Sequence, residues 1–321
     1  MKVGILTSGG DAPGMNACIR AVVRIGCARG LNITGIYGGF QGILDEDFVD
    51  LTARSVANII HRGGTFLTTG RSEEFKTEEG LKRAASNLDK AGFDALVALG
   101  GDGTMRGLAA LTKYWPHQTL GIPTTIDNDV YGTDFTIGFD TAVNNALEAI
   151  DKIRDTAESF SRVFLVEVMG RNCGAIGAHV GIASGATAVA LPETKTNLDA
   201  IAKKLIEGRV RGKLSAIVIV SEGDDEGPAA VISEKLSRLI NEKCRVSVLG
   251  YIQRGGNPTR LDRILATRLG AFAVECLQKG TKGVMLGEMG GKLTTTPYEQ
   301  TWSKKKPLDQ YLLSLIDDLA A

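Results

Sequence analysis

Cysteine and histidine are scarce in this chain: five and three among 321 residues, and neither type is clustered. Cys18, Cys27, Cys173, Cys244 and Cys276 lack the paired spacing of a zinc site or of a disulfide-stapled secreted domain, which points to a reducing, cytoplasmic setting. His61, His117 and His179 stand apart and outside any metalloprotease motif, so chemistry led by imidazole is not expected. Net charge is missing too. Lys+Arg and Asp+Glu number 37 each, which removes the electrostatic case for nucleic acid or an anionic membrane surface. No segment approaches the roughly 20 apolar residues of a membrane span. The N-terminal Lys2–Thr7 run meets Asp11 and Pro13 before it reaches the length of a signal-peptide core. The expected partner is a small molecule.

Glycine is the residue in excess. The 40 glycines fall in short loops between apolar runs and form no low-complexity tract, a pattern that suits backbone drawn close around anions. With 43% hydrophobic residues the chain can bury a substantial core and lies near the size at which one core divides, so two domains are expected. Short apolar runs alternate with amphipathic ones. A strand is predicted over Lys2–Ser8, a turn over Gly9–Gly14 and a helix from Asn16 toward Gly30. The unit repeats as a strand over Asp94–Leu99, a loop over Gly100–Thr104 and a helix over Met105–Tyr114. Arg162–Val168, Ser215–Ser221 and Val246–Tyr251 read as further strands. Strands alternating with helices imply an α/β fold with parallel sheets, whose ligands sit beyond the carboxyl ends of strands.

The polar loops carry the chemistry. After Leu120–Pro123, Asp127 and Asp129 stand two residues apart, so in an extended backbone they would project to one side and converge on one substrate. Like charges that close need magnesium, arginine or a shared proton as counter-charge; a solvated acidic turn accounts for the same residues. Gly9-Gly10 and Gly100-Gly101 each end a strand before a helix, where backbone N–H groups and the positive helix end favour an anion. Neither is a Walker A loop, and Gly101 to Gly107 misses the dinucleotide fingerprint by one position. Asp102 beside such a cradle calls for a cation, for which magnesium is the natural choice. Arg71, Arg162, Arg171, Arg245 and Arg254 lie in or beside loops, where a guanidinium fork suits phosphate. Each alone suits a surface ion pair equally well.

Gly9 to Asn16, Gly100 to Thr104, Thr125-Ile126-Asp127-Asn128-Asp129, Met169-Gly170-Arg171 and Gln253-Arg254-Gly255-Gly256 together resemble the bacterial ATP-dependent 6-phosphofructokinases. The resemblance covers essentially the whole chain, in the family's order and spacing. A Gly-Gly-Asp-Gly loop alone also resembles NAD kinases and diacylglycerol kinases; the five motifs in register are specific. The resemblance implies two similar three-layer α/β/α lobes with mostly parallel sheets and the active site in the cleft between them. Residues 1–138 with 254–304 would form the ATP lobe, and 139–253 with 305–321 the fructose 6-phosphate lobe. It implies direct in-line transfer from magnesium-bound ATP to the 1-hydroxyl of fructose 6-phosphate, the committed step of glycolysis. In that scheme Asp127 accepts the hydroxyl proton, Thr125 and Ile126 help place the sugar, and Arg71 and Arg171 neutralise the moving phosphoryl group. Gly10, Arg71, Ser72, Gly101, Gly103 and Thr104 contact the nucleotide, while Asp102, with Asp129, holds magnesium directly or through water. Arg162, Arg245, Arg254 and Tyr251 match the phosphate end of the sugar, and Met169, Gly170, Arg171 and Glu222 match its sugar contacts. In the family Arg162 and Arg245 come from a neighbouring subunit, so an oligomer with shared active sites, usually a homotetramer, is implied.

Several positions depart from the family pattern. Pyrophosphate-dependent relatives typically carry aspartate at the position of Gly103 and lysine at that of Thr124; Gly103 leaves room for ATP and Thr124 adds no cation, so ATP is favoured. A pyrophosphate enzyme, a different small-molecule kinase on a related fold, a non-catalytic sugar-phosphate or nucleotide sensor and a structural subunit that completes a partner's site are the alternatives. The intact set of Asp127, Asp102, Arg71 and Arg171 argues against the sensor. Arg20, Arg24, Arg154, Arg211 and Lys213 match the basic lining of an allosteric site for ADP or phosphoenolpyruvate. Asn58 and Thr187 stand where regulated members carry acids, so weak or altered ADP activation is expected. Tyr251 replaces a common histidine, and its phenol donates a hydrogen bond without becoming cationic near neutrality. The half-saturation constant for fructose 6-phosphate is therefore expected to change little around pH ~6.5. Steady-state titration checks this, and a steep rise that Tyr251→Phe abolishes would contradict it.

Overall fold

In the computed structural model, which describes residues 1–319, β1 (Lys2–Thr7) is buried on both faces. Val3 and Ile5 enter one hydrophobic cluster and Leu6 another. A strand that is apolar on both sides needs a covering layer on each. The chain continues through α1 (Met15–Ala28), β2 (Asn32–Ile36), α2 (Phe40–Leu44), β3 (Phe48–Leu51) and α3 (Glu78–Lys90). It then forms β4 (Ala95–Gly100), α4 (Asp102–Leu111), β5 (Gln118–Pro123) and α5 (Phe139–Ser159). Next come β6 (Val163–Val168), α6 (Ala175–Ala183), β7 (Ala188–Ala190), α7 (Leu198–Val210), β8 (Ala216–Ser221), α8 (Ala229–Leu239) and β9 (Arg245–Val248). The last elements are α9 (Arg260–Gln278), β10 (Val284–Met289), β11 (Lys292–Pro297), α10 (Tyr298–Ser303) and α11 (Gln310–Leu319).

Two compact units result. The first comprises Met1–Ile126, Val130–Thr141 and Arg254–Lys306, and the second Asp127–Asp129, Ala142–Gln253 and Pro307–Ala321. Relative to the boundaries expected from sequence, Asp127–Asp129 groups with the second unit and the start of α5 with the first. The first unit holds a seven-stranded sheet in the order β11-β10-β5-β4-β1-β2-β3, parallel in its middle and antiparallel at the β2–β3 and β10–β11 edges. Met15, Ile19, Val22 and Val23 of α1 and Leu269, Ala273 and Val274 of α9 cover one face. Phe40 of α2, Leu81 and Leu88 of α3, Met105 and Leu108 of α4 and Tyr298 of α10 cover the other. The second unit is smaller, with four parallel strands in the order β7-β8-β6-β9. Ile201 and Leu205 of α7 and Ile232 and Leu236 of α8 pack on one face of it, and α6 packs against β8.

Local chemistry explains where elements begin and end. α1 stops where Gly30, at φ 77°, lets the Leu31 N–H return to Gly26 O at 2.9 Å. α4 starts at Asp102 and not at Met105, so Asp102, Gly103 and Thr104 form its first turn instead of a loop. β9 ends at Val248; a 3₁₀ turn over Gly250–Arg254 follows, and Tyr251 lies in that turn and not in a strand. Gly250, at φ 52°, ends the extended run.

α9 opens with Thr259 as its N-cap, whose Oγ1 accepts the Asp262 N–H at 3.3 Å. The Asp262 side chain points inward and is 1% exposed. Burial pushes its carboxyl up from 3.8 to about 6, against hydrogen bonds from Thr141 and Gly138 that lower it. Because the folded value lies above the unfolded one, its contribution to stability is full below the unfolded value and is lost as pH rises through about 6. Asp262→Asn should remove a loss of about 3 kcal/mol from the stability profile between roughly pH 4 and 7. Urea unfolding across that range checks this, and an unchanged pH slope would contradict it.

Candidate active site

In the first unit β1 and β4 are neighbouring parallel strands with Thr7 beside Leu99, so the loops that follow them leave the same edge of the sheet. The Ser8 N–H donates to Leu99 O at 2.9 Å and Thr104 Oγ1 donates to Ser8 O at 3.2 Å, tying the Gly9-Gly10 loop to the first turn of α4. Gly100 has no space for a side chain: a Cβ there would lie 2.1 Å from Thr104 Oγ1 and 2.4 Å from Ser8 O. Gly103 is the opposite case, with nothing within 4 Å of a Cβ. Gly101 gives α4 no side-chain cap, and Asp102 sits in its first turn, 3.5 Å from Arg106. N–H groups at a helix start beside a carboxylate suit a phosphate that arrives with its cation.

A third segment joins these loops. Thr69 Oγ1 donates to Gly9 O at 3.0 Å, and the exposed Arg71 follows two residues later. Ser72 is buried and occupied: its hydroxyl donates to Gln41 Oε1 at 2.6 Å and accepts the Phe75 N–H at 3.1 Å. Arg254 lies over the glycine loop, since a Cβ on Gly10 would come within 1.7 Å of Arg254 Nη2. The Arg254 Nε stands 3.9 Å from Asp11 Oδ1 and is buried without a hydrogen-bond partner among the described residues. The Thr125 N–H donates to Ile137 O at 3.1 Å, and Thr136 Oγ1 donates to Thr125 O at 2.7 Å. Ile126 is 2% exposed, so its side chain is not open to a ligand.

Asp127, Met169, Gly170, Arg171 and Glu222 come together in the second unit. β6 and β8 pair with Val168 beside Ser221, which places Met169–Arg171 and Glu222 at their carboxyl ends. The Arg171 N–H donates to Glu222 Oε2 at 3.2 Å. Its guanidinium Nε stands 3.6 Å from Asp127 Oδ2, with the Asp127 side chain 8% exposed and that of Arg171 51%. Asn128 has φ 53°, so the backbone between Asp127 and Asp129 is not extended and the alternation that would have aimed both carboxylates to one side does not hold. Arg171 is also left-handed, at φ 51°. Such non-glycine residues cost about 1–3 kcal/mol each and gather at functional sites. A Cβ on Gly170 would lie 2.4 Å from Cys173 O, so the turn closes only with glycine. Burial first, then the charges of Glu193, Asp129 and Asp127, push the Cys173 thiol up to about 11, which rules it out as a thiolate nucleophile near neutrality.

Arg162 and Arg245 lie elsewhere in this unit. Arg162 precedes β6, its guanidinium 4.4 Å over the Phe160 ring, and Arg245 begins β9 beside Phe164. The length of β6, about 20 Å at 3.3 Å per residue, separates Arg162 from Met169. Tyr251, 79% exposed, follows the other end of β9. Among the effector candidates, Arg154 donates to Ser184 O. Burial, then the charges of Arg154 and Arg211, hold the Lys213 ammonium below its usual range. Thr187 is buried, with no partner for its hydroxyl among the described residues, and borders a pocket of about 210 Å³ with Lys213 and Ser215. Arg20 and Arg24 sit one turn apart on α1 of the first unit, Arg24 exposed, and Asn58 is left-handed at φ 58°.

Among the described residues no three His, Cys, Asp or Glu side chains gather as a metal site. Magnesium keeps much of its water and takes one or two carboxylates plus substrate phosphates, and Asp102, in the first turn of α4, offers one such carboxylate. Sequence reasoning passed over two buried amides. Asn16 Nδ2 donates to Arg62 O and Gly63 O while its Oδ1 accepts the Phe66 N–H at 2.6 Å. Gln253, fully buried, accepts the Met169 N–H at 2.9 Å. Both sit inside the motifs that flagged the site, and that was the only signal for them. Gly100→Ala is expected to break the Thr104–Ser8 contact and cost about 1–3 kcal/mol. The urea midpoint measures it, and wild-type stability would show that α4 can shift freely.

A family model for phosphofructokinase matches residues 2–277. The chain is 52% identical over 319 residues to ATP-dependent 6-phosphofructokinase 1 of Thermus thermophilus, covering 99% of each. It is 47% identical over 304 residues to the ATP-dependent 6-phosphofructokinase of Staphylococcus epidermidis, covering 94% of each. The solved structure of phosphofructokinase from Saccharomyces cerevisiae matches with a TM-score of 0.89 at 32% identity, over 99% of this chain and 47% of that one. A pyrophosphate-dependent phosphofructokinase from Nitrosospira multiformis, 22% identical, shares the fold with a TM-score of 0.85 over 96% of this chain and 86% of that one. With its motifs in register and its whole length matched, this chain belongs to the phosphofructokinase family.

Proposed function

We infer that this chain transfers the terminal phosphoryl group of ATP to the 1-hydroxyl of fructose 6-phosphate, giving fructose 1,6-bisphosphate. The observation that carries the reading is the buried Asp127 carboxylate facing Arg171, on a turn whose backbone is fixed by Glu222. Asp127 accepts the hydroxyl proton as the oxygen attacks in line. Arg171 restrains that carboxylate and, with Arg71, faces the charge that spreads over the equatorial oxygens. Thr125 and the Ile126 backbone orient the sugar, with Met169, Gly170 and Glu222 beside it. The first turn of α4 and the Gly9-Gly10 loop take the nucleotide phosphates, with Gly10, Gly101, Asp102, Gly103 and Thr104 along them, while the Ser72 hydroxyl, already donating to Gln41, gives them no side-chain donor. Asp102 and Asp129 would hold magnesium, which supplies neutralisation of the phosphate charge when bound. The open space at Gly103 supports ATP over pyrophosphate as donor.

Arg162 and Arg245 stand a strand's length from Met169 in their own chain, too far to grip the same small sugar phosphate. This separation supports an oligomer, read as a homotetramer, in which a neighbouring subunit supplies both arginines beside Arg254 and Tyr251. The effector residues Arg20, Arg24, Arg154, Arg211 and Lys213 are assigned to an anion-responsive regulatory site in which Thr187 supplies no charge for a metal. The free cysteines, Cys18, Cys27, Cys173, Cys244 and Cys276, suit a cytoplasmic enzyme. Among the described residues no helix is long and apolar enough to cross a membrane.

The experiment is a coupled assay of fructose 1,6-bisphosphate formation with ATP or pyrophosphate, each with magnesium. Asp127→Ser is expected to lower kcat by about 10²–10⁴-fold with both substrates still bound. Preference for pyrophosphate would overturn the donor assignment, and full activity of the variant would overturn the base. Co-assembling Asp127→Ser with Arg162→Ser subunits should restore activity at shared sites; no recovery in verified hybrids would argue that each chain completes its own.

A further inference from the structure

Asp262 is a buried carboxylate for which the chemistry above has no use. Its Oδ1 accepts the Gly138 N–H at 2.8 Å, and its Oδ2 accepts the Thr141 N–H at 2.8 Å together with the Thr141 hydroxyl. Thr141 Oγ1 in turn accepts the Thr259 N–H at 3.0 Å. The Thr259 hydroxyl donates to Asp140 Oδ2 while accepting the Asp262 N–H. The N-termini of α5 and α9 therefore cap one another through four side chains. A helix N-terminus favours a negative charge, yet burial makes ionisation of Asp262 costly, so stabilisation alone does not account for its placement.

The residues that Asp262 holds lie directly behind two loops of the candidate site in the first unit. Ile137, next to Gly138, accepts the Thr125 N–H at 3.1 Å and donates to Pro123 O at 3.1 Å; Thr136 Oγ1 reaches Thr125 O at 2.7 Å. The backbone of Thr125 is thus clamped by the segment that ends at Gly138. On the other side, a Cβ on Gly14 would lie 2.5 Å from Ile137 Cγ2 and 3.6 Å from Asp262 Cβ. A Cβ on Gly138 would lie 2.6 Å from Ala12 Cβ. Both glycines have positive φ, 111° and 105°, so the two backbones meet in a form that other residues strain to adopt. The glycine turn and the Thr125 segment are registered against one strip of backbone.

We propose that Asp262 is a positioning residue for phosphoryl transfer: by holding Gly138 and Thr141 it sets the Thr136–Ile137 segment against which Thr125 and the Ala12–Gly14 turn take their places. The proposal rests on the assignment of the Thr125–Asp127 loop as the reacting loop. Its energetic logic is that a displacement of about 1 Å at the reacting atoms can cost on the order of 10²-fold in rate. Hydrogen bonds to backbone hold a segment against sliding, which apolar packing resists weakly.

The test compares Asp262→Asn, Thr141→Val and Thr141→Ser in the full-length enzyme, with kcat expressed per nucleotide-binding site. Asn keeps one acceptor but cannot accept from three donors; Ser keeps the hydroxyl that Val removes. Asp262→Asn and Thr141→Val should lower kcat about 10–100-fold while the half-saturation constants for ATP and fructose 6-phosphate move less than about threefold. Thr141→Ser should stay near wild type. Combined with Thr136→Val, Asp262→Asn should be non-additive in kcat, because both act on Thr125. Unchanged kcat per site with only a lowered urea midpoint would overturn the proposal, as would full additivity. If Asp262→Asn fails to fold, the Thr141 pair decides. Asp127→Ser in parallel separates the two readings: an active Asp127→Ser refutes the reacting loop, whereas an inactive one beside a fully active Asp262→Asn refutes the positioning role alone.

Discussion

Parallel pairing of strands buried on both faces is the constraint on which the site depends. In β1, Val3 and Ile5 serve one hydrophobic layer and Leu6 the other, so a slip of one residue would exchange them and set each against a layer packed for the other. The register that places Thr7 beside Leu99 is therefore strongly specified. From it follows the contact of Ser8 with Thr104, and with it the union of the two glycine loops. The same constraint operates in the second unit, where Val168 beside Ser221 brings Met169–Arg171 to Glu222.

Irregular backbone beyond the strand ends is held by buried polar side chains. Asn16 takes up three backbone groups of the Arg62–Phe66 segment, Gln253 receives Met169, and Asp262 receives Gly138 and Thr141. A buried donor left without an acceptor costs about 1–3 kcal/mol, so each loop has one satisfied arrangement and strong resistance to leaving it. Glycine does the complementary work by letting backbones approach where Cβ atoms cannot fit, as at Gly100 and Gly138. Left-handed Asn128 and Arg171 show where this scaffold tolerates strain, and both flank the carboxylate assigned as the base.

Much of this was legible in the residues because the signals were local. Lys2–Thr7, Ala95–Gly100, Val163–Val168 and Ala216–Ser221 are apolar runs bounded by glycine or charge, and each is a strand within a residue of its expected limits. The start of α4 was not legible, because Gly101-Asp102-Gly103 reads as loop by propensity. The Thr104 hydroxyl on Ser8 O, a contact 96 residues distant in sequence, holds it in a helical turn. Tyr251 read as strand because it is aromatic and follows the β-branched Val246 and Val248, and the left-handed Gly250 overrode that preference.

The sequence by itself determined the fold class, the motifs and the family they resemble, since periodicity, glycine placement and residue spacing act over a few positions. Only the tertiary structure decided which loops share a sheet edge, that Ser72 and the Ile126 side chain are turned inward, and that Arg162 and Arg245 lie a strand's length from Met169. It also decided that Asp262 faces Gly138 instead of solvent. Those facts depend on strand order, register and the satisfaction of buried polar groups, which are set by contacts between residues far apart in the chain.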